Sequence, residues 1–303
     1  MKKWLVMMML VAGVQASTEI TVYDTNTVSA SRFYPTRPVK DTYLYYSTSG
    51  QQNYHYGGST TINVRNWSSW MTNNSKEMTG LIGWFNPRAW LAIALGADPA
   101  TITIDSCRLR LYLSSRSSTP TIYVHSLVKP QPWGMLRTGS TDSCSWEDTA
   151  SGTSALTGTR PTWVHWAASA SKSWGRGGAK CQNAAPTPNI CDGDTTTCDA
   201  DCADVDSDAL SSVLVNGASG VAYEWNVTSA AQAAFTDSTD LDLMLRGSAN
   251  GRYAYFYSSQ NTTSGTKYHP VFRVWYTLSG GPEPTGNIKG NVEIKGNVEI
   301  KGN

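Results

Sequence analysis

Hydrophobic and polar residues alternate with a period of two along many short segments of this chain. These segments are residues 61–65, 101–105, 108–113, 121–125, 223–227, 241–245, 253–257 and 271–276, with clusters of Gly, Ser, Asn and Pro between them. In a strand, such alternation places apolar side chains on one face and polar side chains on the other. Many short runs separated by turn residues are typical of a sandwich or barrel. We therefore predict an all-β fold, built as an antiparallel β-sandwich.

Helical periodicity is limited to residues 86–95 and 229–235. We predict one short helix in each stretch. Thr228 is the expected N-cap of the second helix, because its hydroxyl can accept a hydrogen bond from a free backbone N–H of the first turn. Both helices are expected to connect strands and to pack on an edge of the sandwich.

The two ends of the chain and one internal region depart from the strand pattern. Residues 1–16 combine two lysines, an apolar run and a small-residue site, which predicts a cleaved signal peptide and secretion to the extracellular space. The predicted domain covers 17–278, with a loop insertion over roughly 131–220 where the alternation fades. A Gly/Pro linker at 279–286 leads to a six-residue repeat at 287–303, which fits an edge ribbon, a flexible tail or the opening of a longer repeat.

Charge and hydropathy exclude two classes of partner. The 303-residue chain has a net charge of +1 and no basic stripe, so nucleic-acid binding is not expected. After residue 16, no segment approaches the roughly 20 apolar residues of a membrane helix, so no membrane span is expected.

All six cysteines lie after the predicted signal peptide, in a compartment that favours disulfides. They are Cys107, Cys144, Cys181, Cys191, Cys198 and Cys202. A bond between Cys107 and Cys144, with the other four paired among themselves, requires the least rearrangement of the chain. A zinc site is the weaker alternative, because the sequence has no CxxC pair and no histidine near the last four cysteines.

The cysteine cluster is rich in aspartates at every-other-residue spacing. Carboxylate oxygens are ligands that Ca²⁺ prefers, although the spacing is not that of an EF-hand loop, and a solvated acidic loop is an equal alternative. The candidate calcium ligands here are Asp199, Asp201, Asp204, Asp206 and Asp208.

Aromatic residues are abundant, with 12 Trp and 15 Tyr. Sugars present flat C–H faces that pack on aromatic rings, and hydroxyls that need polar partners, so aromatic residues in polar contexts are candidate binding residues. The candidates are Trp67, Trp70, Trp166, Trp174, Tyr54, Tyr56, Tyr253 and Tyr257. Trp84, Trp225 and Trp275 lie within strand patterns and are expected to be structural.

Several motifs follow one another in a characteristic order. They are Asp-Thr-Tyr-Leu at 41–44, Asn-Tyr-His-Tyr-Gly at 53–57, Thr-Ile-Asn-Val at 61–64, Leu-Ile-Gly-Trp-Phe at 81–85, the run at 104–113, Trp-Asn-Val-Thr at 225–228, Tyr-Phe-Tyr-Ser-Ser at 255–259 and Phe-Arg-Val-Trp-Tyr at 272–276. In this order they resemble the DNRLRE, or disaggregatase-related, domain family over residues 38–278. The literal string Asp-Asn-Arg-Leu-Arg-Glu is absent, and the insertion from Cys181 to Cys202 is not a family feature. The resemblance implies a jelly roll similar to carbohydrate-binding modules, with Asp41 as a second candidate calcium ligand.

No catalytic constellation is visible. The four histidines, His55, His125, His165 and His269, lie outside known catalytic motifs, and Glu147 and Asp148 are adjacent residues that point opposite ways in an extended chain. The leading hypothesis is a non-catalytic module that binds extracellular polysaccharide or a glycan surface. The second is a structural protein of an extracellular layer, filament or particle that self-associates through the C-terminal repeat. The third is a polysaccharide-degrading enzyme.

Overall fold

The structure of the protein is a computed structural model that describes residues 17–23, 38–47, 56, 58–65, 76–127, 205–206, 208–247, 252–262 and 266–279. The strands are β1 (Thr18–Tyr23), β2 (Val39–Ser47), β3 (Thr61–Arg65), β4 (Lys76–Trp84), β5 (Ile102–Arg116), β6 (Thr121–Ser126), β7 (Ser211–Leu214), β8 (Ala222–Asn226), β9 (Leu241–Gly247), β10 (Tyr253–Tyr257) and β11 (Val271–Leu278). The helices are α1 (Pro87–Leu95), α2 (Thr228–Asp237) and a 3₁₀ turn at Pro99–Thr101.

The described strands form one antiparallel sheet that curls back on itself, which confirms the predicted all-β sandwich. Its order is β1-β11-β5-β10-β3-β4-β9-β6-β7, with β2 on the other edge of β4 and β8 on the other edge of β5. Strand β5 is 15 residues long and belongs to both layers. Its first part pairs with β11 and β8, and its last part pairs with β10. A break in register between Tyr255 and Phe256 accompanies this change of partner.

Aromatic residues from opposite layers meet in the core. Trp84 of β4 stacks on Phe272 of β11 at 5.7 Å between ring centroids. Trp225 of β8 meets Phe256 edge-on at 5.6 Å, and its indole N–H donates a 2.9 Å hydrogen bond to the Ile122 carbonyl. Both tryptophans are fully buried, so the prediction that they are structural is confirmed.

The two predicted helices are present and contribute to this core. In α1, the Asn86 side chain accepts a 3.0 Å hydrogen bond from Ala89 N–H and caps the first turn. The prediction that Thr228 caps the second helix is wrong, because α2 has Val227 at its N-cap and no side-chain cap. The Thr228 hydroxyl instead accepts from Cys107 N–H at 3.0 Å, which ties the helix to β5.

Strands β1, β2, β4 and β7 were not predicted by the alternation, and β7 falls inside the region expected to be a loop. For β2 and β4 the reason is burial on both faces. Leu44 and Leu81 lie on the face away from the main core, yet both are fully buried. A strand that is buried on both faces has no hydrophobic and polar alternation to detect.

The outer face of β1, β11, β5 and β8 carries a charged network around Trp275. This indole is half-buried and has the guanidinium groups of Arg273 and Arg108 over its ring at 4.8 and 5.5 Å. Arg273 forms ion pairs with Glu19 at 2.6 Å and with Glu224 at 2.8 Å. Trp275 is therefore structural, as predicted, but through contacts on the outer face. No helix among the described residues is long and apolar enough to cross a membrane.

Candidate ligand-binding face

Strands β3 and β10 place two rows of side chains next to each other on the outer face of the sheet. Directly opposite pairs are Tyr253 with Arg65, Tyr255 with Asn63 and Tyr257 with Thr61. The residues between them point into the core: Ile62, Val64, Ala254 and Phe256 are all fully buried. We call Tyr253, Tyr255 and Tyr257 the tyrosine row, and Thr61, Asn63 and Arg65 the polar row.

The tyrosine row forms two stacked groups. The rings of Tyr253 and Tyr255 stack with centroids 4.5 Å apart. Tyr257 stacks on Tyr268 at 5.0 Å, and Tyr112 of β5 contacts Tyr268 at 5.4 Å. All five rings are half-buried. Because stacked rings cover each other's inner faces, a ligand would contact their outer faces, their edges and their hydroxyl groups.

A further group of tyrosines borders the polar row. Tyr43 of β2 stacks on Tyr56 at 4.4 Å, and Tyr45 meets Tyr56 edge-on at 5.6 Å. Burial raises the pKa of Tyr43 to about 12, and hydrogen bonds from the Ser59 and Asn63 side chains offset part of that rise. The Tyr43 phenol therefore stays protonated at neutral pH and is held beside Asn63.

Tyr255 interacts electrostatically with residues of the tyrosine row, the polar row and the bordering tyrosines. Burial raises the pKa of Tyr255, the positive charge of Arg65 lowers it, and the neighbouring Tyr253 and Tyr45 raise it. The Tyr255 hydroxyl is thus neutral at physiological pH. A neutral phenol can both donate and accept hydrogen bonds, as sugar hydroxyls do.

Two buried polar atoms of the polar row have no hydrogen-bond partner in the described part of the chain. They are Asn63 Oδ1 and Arg65 Nε. Asn63 is only 8% exposed, so its amide oxygen has little access to bulk water. Buried polar atoms are nearly always paired, and leaving one unpaired costs about 1–3 kcal/mol. An unpaired acceptor and an unpaired donor therefore lie beneath the surface beside the tyrosine row.

The structure brings together only some of the predicted binding residues. Tyr253 and Tyr257 share one face, and Tyr56 lies in the group that borders it. Tyr54, Trp67, Trp70, Trp166 and Trp174 lie outside the described residues. Sequence reasoning missed Tyr255, although a period of two from Tyr253 to Tyr257 indicates it. No sequence signal indicated Tyr268, Tyr112 or the buried polar atoms, since their positions depend on strand pairing.

The predicted calcium ligands Asp41 and Asp206 lie too far apart in the fold to form one site. The Asp41 carboxylate is 1% exposed and accepts a 2.9 Å hydrogen bond from Ser259 N–H. Asp41 on β2 and Ser126 on β6 lie at opposite ends of one line of paired residues that crosses β2, β4, β9 and β6. Three strand spacings, or about 14 Å, therefore separate their Cα atoms. Asp206 is bonded to Ser126 through its backbone N–H, so Asp41 cannot share an ion with it.

Asp206 and Asp208 are both exposed, and Asp199, Asp201 and Asp204 lie outside the described residues. Burial raises the pKa of Asp206, and the charge of Asp208 adds to the rise, so the two carboxylates repel each other. Among the described residues, no group of three or more His, Cys, Asp or Glu side chains could hold a metal ion. Calcium binding stays a prediction.

Cys107 is a free cysteine that is fully buried in β5. Its thiol has a raised pKa because burial disfavours the thiolate. Cys144, Cys181, Cys191, Cys198 and Cys202 lie outside the described residues. The structure therefore gives no support to the predicted bond between Cys107 and Cys144, and the pairing stays a prediction.

The two described histidines have structural surroundings. His269 is 6% exposed, and its Nε2 bonds the Asn261 carbonyl at 2.8 Å. His125 is equally buried, and its Nδ1 lies 3.1 Å from the Asp206 carbonyl. Burial lowers the pKa of His125, so this ring is neutral at physiological pH. His55 and His165 lie outside the described residues.

Comparison with known proteins assigns neither a family nor a function to this chain. The chain matches no family model and no curated protein by sequence. The resemblance to the DNRLRE family therefore stays a prediction.

Proposed function

We propose that this protein binds extracellular polysaccharide, without catalysing a reaction on it, through the face formed by the tyrosine row and the polar row. One observation carries the proposal. Three tyrosines on β10 lie directly opposite three polar residues on β3. At each of these positions an aromatic ring and a polar side chain lie side by side, one strand spacing apart.

Carbohydrate suits this face better than an apolar ligand does. A sugar ring has a C–H face that packs on an aromatic ring and hydroxyl groups that both donate and accept hydrogen bonds. The half-buried Tyr255 hydroxyl can donate to such a group or accept from it, and so can the Thr61 hydroxyl of the polar row. An apolar ligand that covered these hydroxyls would remove their water without replacing the hydrogen bonds, which costs free energy on binding.

The test is retention of the purified protein on a panel of neutral and acidic polysaccharides, in soluble and insoluble form. We expect at least one polysaccharide to retain the wild-type protein, and we expect Tyr255→Ala to bind it about fivefold more weakly, as loss of roughly 1 kcal/mol of aromatic contact implies. Repeating the assay with EDTA tests calcium: unchanged retention and melting temperature would contradict a calcium site.

The matched control is Tyr123→Ala. Tyr123 is also a half-buried tyrosine on a strand, but it lies on β6, four strands away from β10 in the sheet order. We expect this variant to bind like the wild type. If Tyr255→Ala does not fold, protection of wild-type tyrosines from iodination by bound polysaccharide gives the same information. The proposal fails if no polysaccharide retains the protein, or if binding protects no tyrosine of the row.

A further inference from the structure

We propose that the ligand is an extended chain of several sugar units that lies along β10, and that the face does not recognise a single sugar or a chain end. This inference depends on the proposed polysaccharide binding and adds the length and direction of the ligand.

The length follows from the spacing of the tyrosine row. Tyr253 and Tyr257 are four residues apart on one strand, which corresponds to about 13 Å along the strand axis. Tyr268 and Tyr112 add aromatic surface beside Tyr257, at one end of the row. This span is longer than one sugar ring, so a single unit cannot contact Tyr253 and Tyr257 at the same time.

The direction follows from the pairing of β3 with β10. Each member of the tyrosine row has a polar residue directly opposite, in the order Arg65, Asn63 and Thr61 from Tyr253 to Tyr257. A chain that runs parallel to the strands meets an aromatic ring on one side and a polar group on the other at every second residue. A chain that crosses the strands would meet only one such pair.

Both ends of the face carry a positive charge. Arg65 lies at the Tyr253 end, and the Lys267 ammonium lies 5.0 Å from the Tyr268 ring at the other end. The half-buried Tyr255 lies between them. Both ends can therefore donate hydrogen bonds to hydroxyl groups, while the Tyr255 hydroxyl in the middle can also accept one. Subsites of this kind along one line suit successive units of the same chain.

The experiment uses oligosaccharides of increasing length, prepared from whichever polysaccharide the protein retains and measured by titration calorimetry. We expect affinity to increase at least tenfold from the single sugar to the length that spans Tyr253 to Tyr257, and to level off beyond it. In Tyr257→Ala, the plateau should be reached at a shorter length, with about tenfold lower affinity for long chains. Tyr123→Ala should reproduce the wild-type length dependence.

Two results would overturn the inference, and they are distinguishable. If the polysaccharide is retained but the single sugar binds as tightly as the long oligosaccharides, the extended site is wrong and the proposed function stands. If no polysaccharide is retained, both are wrong. Should Tyr257→Ala fail to fold, Tyr268→Phe and Tyr268→Ala test the same end of the face, because only the second removes the ring.

Discussion

Gly80 gives the most direct test of how the core supports the binding face. It lies in the middle of β4, opposite Leu245 of β9 and Tyr43 of β2. A Cβ atom at this position would lie 2.8 Å from Ile62 Cγ2, 3.0 Å from Leu245 Cδ1 and 3.2 Å from Val64 Cγ2. The nearest and the third of these atoms belong to β3, the strand that carries the polar row on its other face.

We expect Gly80→Ala to destabilise the protein, because the methyl group must displace β3 or force side chains out of their rotamers. Overpacking of this kind costs about 1–3 kcal/mol, and the lower backbone entropy of alanine returns roughly 0.5–1 kcal/mol, so the net loss is about 0.5–2 kcal/mol. For a domain of this size, the melting temperature should fall by roughly 1–8 °C. Ligand affinity should fall as well, since displacement of β3 moves Asn63 and Arg65.

The assay is urea unfolding of the two single variants and the double variant. Ile62→Ala alone should cost about 2–5 kcal/mol because it leaves a cavity. The added methyl of Gly80→Ala occupies part of that cavity. The double variant should therefore be more stable, by about 1 kcal/mol or more, than the summed losses of the two single variants predict. A Gly80→Ala variant as stable as the wild type, or strictly additive costs, would refute the packing argument.

Two further predictions concern the core and a strand end. Trp225→Phe should cost about 1–3 kcal/mol in urea unfolding because the hydrogen bond from the buried indole N–H to the Ile122 carbonyl is lost. Trp84→Phe is the control, since the Trp84 indole N–H has no partner among the described residues, and equal costs would contradict the argument. Burial and the charge of Asp240 raise the pKa of Asp242 well above its usual range. The acid form is thus favoured in the folded state, and the stability it contributes at low pH is lost as pH rises through the folded pKa. Asp242→Asn should therefore become more stable relative to the wild type as pH rises above about 4, the ordinary aspartate pKa, and a constant difference in melting temperature would contradict this.

The sequence by itself determined the strands that have one buried face, because those strands alternate. Residues 253–257 show this most clearly, and the same alternation places Tyr253 and Tyr257 on one side. It also determined both helices. It could not indicate β2 and β4, whose two faces are both buried, or that the hydroxyl of Thr228 would bond to Cys107 and leave α2 without a side-chain cap.

Tertiary structure alone decided which residues form the candidate site. Register between β3 and β10 puts Asn63 opposite Tyr255, and packing after β10 brings Tyr268 onto Tyr257. Asp41 and Ser259 are 218 positions apart in the sequence and are joined by one hydrogen bond. Alternation reports only which face of a strand is buried. Strand pairing depends on the free energy of the whole core, so no local pattern specifies which polar residues lie beside the tyrosines.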